Sequence, residues 1–294
     1  MLFPRAKKDV SLTRGRRLTG LLVVSSLALA LSGCSPELER GFLPDAAGVT
    51  NHTDRIIGLW TTSWIVLLAV GFAAWGLMAW ALIVYRRRRG ETGMPQQLRY
   101  NMPIEALFTA IPLVLVLGFF AFTARDMAAI EAKVENPDVR IEVIGKQWSW
   151  DFNYVDENVF DSGIQAQFTG TEENVMETLP TLYLPVGQSV QIELSSRDVI
   201  HSFWVVDFLY KKDMFPGQTN VMYFTPLKEG TYVGKCAELC GEYHSMMLFN
   251  VKVVSQSEYD ARMAELAAKG NVGQLSGEYD RNQNLPGGNT EIRG

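Results

Sequence analysis

The chain has 294 residues and a formal net charge of −5, and its acidity is concentrated: from Arg125 to Lys269 there are twenty-two Asp and Glu against twelve Lys and Arg. That balance excludes nucleic-acid binding, because phosphates demand the opposite sign, and it suits a basic protein partner. Three cysteines cannot build a disulfide framework.

Residues 1–33 read as an export signal. Arg14, Arg16 and Arg17 precede an apolar run from Leu18 to Leu31 that is short for a membrane span and is closed by small residues. The Arg16–Arg17 pair lacks a twin-arginine context and reads as plain positive charge. Leu31-Ser-Gly-Cys34 resembles the lipobox of bacterial lipoproteins, in which Cys34 would carry the lipid and begin the mature chain. An uncleaved anchor, or an ordinary signal with an incidental cysteine, is the alternative. Residues 34–55 form a polar linker outside the membrane, in which His52 is expected at the surface or the membrane interface and not on a metal.

Residues 56–125 are expected to form a transmembrane helical hairpin. Ile56 to Tyr85 contains no charge and exceeds the roughly 20 apolar residues that cross a bilayer. Trp60, Trp64, Trp80 and Tyr85 lie toward its ends as an aromatic belt, and Arg86 to Arg89 place the following end in the cytoplasm. Ala106 to Ala124 form the second span, which returns the chain to the outside. Glu105 opens this helix behind Pro103, where an acid is favoured by the helix dipole.

Residues 126–256 change to period-two alternation, as in Val139, Ile141 and Val143 or Val190, Ile192 and Leu194, with turn residues such as Pro216-Gly217 between the runs. Many short strands so punctuated predict an antiparallel sandwich or barrel. Residues 257–294 read as a helix with Tyr259, Met263 and Leu266 on one face, then a flexible tail, with disorder expected from Gly270 onward.

The chemistry gathers in Lys235-Cys-Ala-Glu-Leu-Cys-Gly-Glu-Tyr-His-Ser-Met-Met247. Cys236, Cys240, His244 and Met247 are soft ligands, and a thioether beside Cys and His points to copper electron transfer. Two cysteines let two thiolates bridge a pair of copper ions. The second histidine must come from elsewhere, and His201, in an apolar strand-like run, is the one suitably placed. A disulfide and a zinc site that leaves Met247 without a purpose are the competing readings.

With His201 in a His-Ser-Phe-Trp context, this loop resembles the dinuclear copper A loop of cytochrome c oxidase subunit II, and the similarity runs from about Thr53 to Val254. The resemblance implies a two-helix transmembrane hairpin followed by an all-β cupredoxin-like Greek-key barrel. It implies six copper ligands: His201, Cys236, the main-chain carbonyl of Glu238, Cys240, His244 and Met247. The Glu238 carboxylate would also hold Mg²⁺ or Mn²⁺ at the boundary with subunit I. Trp148, in Gln147-Trp-Ser-Trp150, matches the family's electron-accepting tryptophan, and Asp151, Asp156, Glu157 and Asp161 would steer a basic cytochrome c. Glu105 matches a glutamate at the mouth of a proton path.

The function so implied is uptake of electrons from cytochrome c and their transfer to haem in subunit I, which reduces O2 to water coupled to proton pumping. The partners are that haem-bearing subunit, other oxidase subunits, the bilayer, and either a soluble cytochrome c or a membrane-tethered cytochrome c domain. A quinol oxidase subunit II lacks these ligands, a copper chaperone would alternate strands and helices, and nitrous oxide reductase lacks the two-helix anchor. Two departures from the family stand out: an acid-rich stretch from Val155 to Leu179 with Glu172, Glu173 and Glu177, and the lack of a glycine pair between Val205 and Asp213.

Overall fold

The computed structural model describes residues 36–280, except 89, 91, 95, 96, 98, 167–174 and 176, together with residues 25, 292 and 293. Cys34, nearly all of the expected export signal, and Glu172 and Glu173 of the acid-rich stretch lie outside the described residues. The chain divides into two compact units, 1–44 and 45–294. In the first, Pro36–Glu39 makes one helical turn.

Helix α1 spans Thr53–Val84 and helix α2 spans Met102–Ile130. Both are long and apolar enough to cross a membrane, with mean hydropathy of 2.2 and 2.3 over their most apolar windows. The hydroxyls of Thr61 and Ser63 donate to the carbonyls of Ile57 and Leu59 one turn back, so neither leaves an unmet polar group in an apolar helix. At the start of α2 the Asn101 side chain accepts from Ile104 N, and Glu105 Oε1 accepts from Asn101 N at 2.9 Å. This reciprocal pair is a capping box, so Glu105 has a structural task in the first turn.

Ten strands build two five-stranded sheets. In chain order they are β1 Val139–Lys146, β2 Ser149–Tyr154, β3 Val159–Ser162, β4 Thr181–Pro185, β5 Val190–Ser196, β6 His201–Val205, β7 Tyr210–Met214, β8 Asn220–Phe224, β9 Gly230–Cys236 and β10 Leu248–Val254. One sheet runs β3-β2-β1-β5-β8 and the other β4-β10-β9-β6-β7. The chain crosses repeatedly between them, giving the expected cupredoxin-like Greek key. The pairings are not all antiparallel as the alternation alone suggested: β1 lies parallel to β5, and β4 to β10. Strands reached by crossing between sheets, and not by a tight hairpin, are free to arrive in either direction.

The alternating residues face one another across the sandwich. Ile141 and Val143 sit in register with Ile192 and Leu194, opposite Phe203, Val205, Phe249 and Val251, all buried. Trp150, Phe203 and Phe249 form the centre, with ring centroids 4.9–5.8 Å apart. Gly234 on β9 is required here, because a Cβ would come within 2.1 Å of the Phe249 ring.

Four expectations need correction. Residues 45–53 are no free linker: Ala46, Val49, Thr50, His52 and Thr53 are buried, and Asn51 exchanges hydrogen bonds with Thr225 through its backbone N and its side-chain Oδ1. His52 is not at the surface; its Nε2 donates to the Tyr223 carbonyl at 2.9 Å. At its other end the hairpin is tied to the same part of the β-domain, since Tyr210 and Lys212 both bind the Glu131 carboxylate that follows α2.

The disorder expected from Gly270 does not hold for residues 271–280. After helix α3, Gln256–Ala268, this segment lies along β2 and β3. Phe160 N donates to Asn271 O, and Asn153 exchanges two 2.9 Å hydrogen bonds with the backbone of Leu275. Main-chain pairing, with buried Leu275, orders a stretch whose composition alone would not. Because this segment covers the outer face of the first sheet, every residue of β2 is buried.

Asp151 on β2 is consequently fully buried, bound to Lys146 Nζ at 2.6 Å and facing Arg197 Nη1 at 3.1 Å. It cannot steer a partner. Asp156 is paired with Arg140 and Asp161 with Arg262, so the charge expected around Trp148 is largely compensated.

Candidate metal centre

The strands bring the soft ligands together at one end of the sandwich. His201 opens β6 and Cys236 closes β9, which pairs with it. The loop then carries Cys240, makes a single 3-10 turn at His244–Met246, and delivers Met247 to the start of β10. Backbone bonds close the loop: Cys236 N donates to Met247 O and Ala237 N to Ser202 O, both at 3.0 Å.

Cys236 Sγ lies 3.9 Å from Cys240 Sγ, 3.8 Å from His201 Nδ1 and 3.2 Å from Glu238 O. Cys240 Sγ lies 3.4 Å from His244 Nδ1 and 3.7 Å from Met247 Sδ. Both cysteines are free thiols. Two donors held about 2.0–2.3 Å from a shared tetrahedral metal ion lie roughly 3.3–3.8 Å apart, so the spacings suit groups that share metal ions. Ligand atoms of His201, Cys236 and Cys240 all fall within 4.8 Å of one another. These three and Met247 are buried, while Glu238 and Leu239 are exposed at the loop tip.

Several residues that sequence reasoning passed over fix this geometry. Asp198 Oδ1 binds His201 Nε2 at 2.8 Å, and its carboxylate also accepts from Gln147 N at 2.6 Å and Val199 N at 2.7 Å. A carboxylate on the outer nitrogen sets which ring nitrogen is left for a metal. An acid three residues before the histidine was the visible signal. Gly145 on β1 is the second: a Cβ there would lie 2.8 Å from His201 Cδ2. Gln147 is the third, donating from Nε2 to Cys240 O at 2.7 Å.

The electrostatics follow from burial and these contacts. Burial alone would lower the His201 pKa, but the Asp198 carboxylate and Cys236 raise it above its usual value. Burial would raise that of Asp198, yet bonds from His201, Gln147 N and Val199 N hold it below the carboxylate range. Contact with Cys240 drives the Cys236 thiol down, and the same contact drives Cys240 up.

Trp148 sits beside the loop. Its ring meets Tyr243 edge-on, centroids 5.0 Å apart, and its Nε1 is buried with no hydrogen-bond partner among the described residues. The exposed neighbours on the loop are Leu239, Glu242 and Tyr243. Glu105 lies on α2, outside this site.

A Greek-key β-domain that gathers two thiols, two imidazoles and a thioether at one end, beside a pair of helices long and apolar enough to cross a membrane, defines a cupredoxin-like domain with a soft-ligand cluster compatible with copper. The sequence profile described as cytochrome c oxidase subunit II, periplasmic domain, matches residues 139–254. A probable cytochrome c oxidase subunit 2 of Streptomyces avermitilis is 42% identical over 88% of this chain and 90% of its own length. The cytochrome c oxidase subunit 2 of Mycobacterium tuberculosis is 31% identical over 85% and 82%. The crystal structure of the periplasmic domain of subunit II of a Bradyrhizobium japonicum cytochrome oxidase, 29% identical, covers 47% of this chain and 99% of its own, with a TM-score of 0.43. The chain belongs to the cytochrome c oxidase subunit II family.

Proposed function

We propose that this chain is the subunit through which a haem–copper terminal oxidase takes up electrons from cytochrome c, holding a dinuclear copper A centre for that purpose. The observation that carries the reading is the convergence of six donors: His201 Nδ1, Cys236 Sγ, Glu238 O, Cys240 Sγ, His244 Nδ1 and Met247 Sδ. Held by these six donors, copper would supply one-electron uptake and release. The protein contributes rigidity. The loop is closed by backbone bonds, His201 is locked by Asp198, and four of the six ligand residues are buried, which suits a relay held in one geometry.

Trp148 is the proposed point of electron arrival, beside the loop and stacked edge-on against Tyr243. Leu239 and Tyr243, flanked by Glu238 and Glu242, form an apolar patch with acidic edges for a basic haem protein. The Glu238 carboxylate would hold Mg²⁺ or Mn²⁺ at the boundary with the haem-bearing subunit, where oxygen reduction and proton pumping take place. Glu105 is proposed to admit protons there in addition to capping α2. With Arg86 to Arg89 in the cytoplasm, both helices span a bacterial cell membrane and the β-domain stands outside it, with Cys34 as a lipid anchor on the same side.

The test is stopped-flow reduction of the complex purified from native membranes. Haem-bearing subunits should co-purify, a reduced basic cytochrome c should donate rapidly, and Trp148→Phe should slow that step while leaving copper content unchanged. A complex reduced only by quinol would overturn the proposal.

A further inference from the structure

We propose that the end of the helix pair nearest the β-domain is a binding site for one anionic glycerophospholipid, its phosphate on Arg55 and Arg125 and an acyl chain in the hollow between α1 and α2. Asp126 Oδ1 accepts from Arg55 Nη1 at 2.9 Å and from Arg125 Nε and Nη2 at 3.0 and 2.9 Å. The Asp126 side chain is 6% exposed, against 43% for Arg55 and 64% for Arg125. Two cations on one carboxylate leave a net positive charge. Each guanidinium has five N–H donors, so donors remain for a phosphate, and Arg–phosphate pairs are strong and directional.

Immediately below this cluster lies a cavity of about 470 Å³ lined by Gly58, Leu59, Phe119 and Phe122. Thr62 and Ser63 also line it, and the Ser63 hydroxyl already donates to Leu59 O, so the wall below the charged rim is mostly apolar. A hollow of this size holds more than a single bridging water, and below the rim of Arg55, Arg125 and Asp126 its only polar lining residues are Thr62 and Ser63. The Arg125 guanidinium stands 5.2 Å from the Phe122 ring centroid, which holds the charge at the rim of the hollow. On α1 the exposed rings of Trp60 and Trp64 pack edge-on, centroids 5.8 Å apart, and paired indoles mark the level of the lipid headgroups. An apolar hollow capped by net positive charge at that level matches both halves of an anionic lipid. A free anion would leave the hollow unexplained, and a zwitterionic lipid would leave the charge unmatched.

The test is native mass spectrometry of the full chain released from detergent with phosphatidylglycerol or phosphatidylcholine of identical acyl chains. Phosphatidylglycerol should be retained preferentially. Arg125→Gln keeps the Arg55–Asp126 pair and should weaken that retention by about fivefold, the worth of one arginine near an anionic headgroup. Gly58→Leu puts a side chain into the hollow and should abolish it; a Cβ there meets nothing within 4 Å, and circular dichroism checks that the variant keeps its fold. Equal retention of the two lipids, indifference to both substitutions, or full displacement by glycerol phosphate would each overturn the proposal. A photoreactive residue in place of Leu59 should capture lipid in native membranes; capture of a neighbouring subunit alone would show that protein fills the hollow and would also overturn it.

Discussion

Asp198 Oδ1 stands 2.8 Å from Nε2 of His201, on the far side of the ring from the Cys236 sulfur that faces Nδ1 at 3.8 Å. The carboxylate therefore decides which nitrogen of His201 is offered to the centre, and the same carboxylate pins the Gln147–Trp148 corner through Gln147 N. Asp198→Asn preserves the shape but weakens this control. Its copper affinity should fall roughly 10–100-fold, the usual effect of losing an outer partner of a metal-binding histidine. Competition against a chromophoric chelator measures it, with circular dichroism confirming the fold; an unchanged affinity would contradict the assigned role.

Gly145 places the β1 backbone so close to the same ring that a methyl group would sit 2.8 Å from Cδ2. Overpacking at a buried site costs about 1–3 kcal/mol, so Gly145→Ala should lower stability by that amount in denaturant titration. It should also lower copper affinity, because the ring that must move is the one Asp198 orients. A variant with wild-type stability and full copper loading would show that β1 can shift to make room.

The two ion pairs of Arg197 and Arg140 invite a direct comparison. Arg197 and Asp151 are 1% and 0% exposed, whereas Arg140 and Asp156 are 52% and 34% exposed. Removing one partner of a buried pair costs about 3–5 kcal/mol, while an exposed pair contributes about 0–1 kcal/mol. Lys146 still neutralises Asp151, so Arg197→Met should fall at the low end of the buried range, and Arg140→Met should be nearly silent. Equal effects in urea denaturation would mean that the segment 271–280 does not seal the sheet face.

What the sequence disclosed follows from how local each signal is. Five of the six proposed ligands lie within twelve residues, Cys236 to Met247, so their chemistry is legible without any fold. The two helices announce themselves by hydropathy. Gly145 and Arg197 were illegible because their partners, His201 and Asp151, meet them only when β1, β2, β5 and β6 are assembled; Asp198 lies three residues before His201, but its bond to Gln147 N also waits for that assembly. Asp151 looked like a steering charge for the same reason: nothing near it in sequence shows that residues 271–280 will cover it. His52 and the segment around it misled because their order comes from bonds to the backbone of β8 and of the residues just after it, which leave no mark in side-chain composition.

Quantifying copper in the intact chain, together with the electron paramagnetic resonance of its oxidised form, tests the central claim most directly. The account predicts two copper ions per chain, a purple chromophore, and one unpaired electron shared between two copper nuclei, all lost in Cys236→Ser. A single copper with the blue colour of a mononuclear site, or a fully loaded sample in which the Cys236 and Cys240 sulfurs are joined to each other, would contradict it.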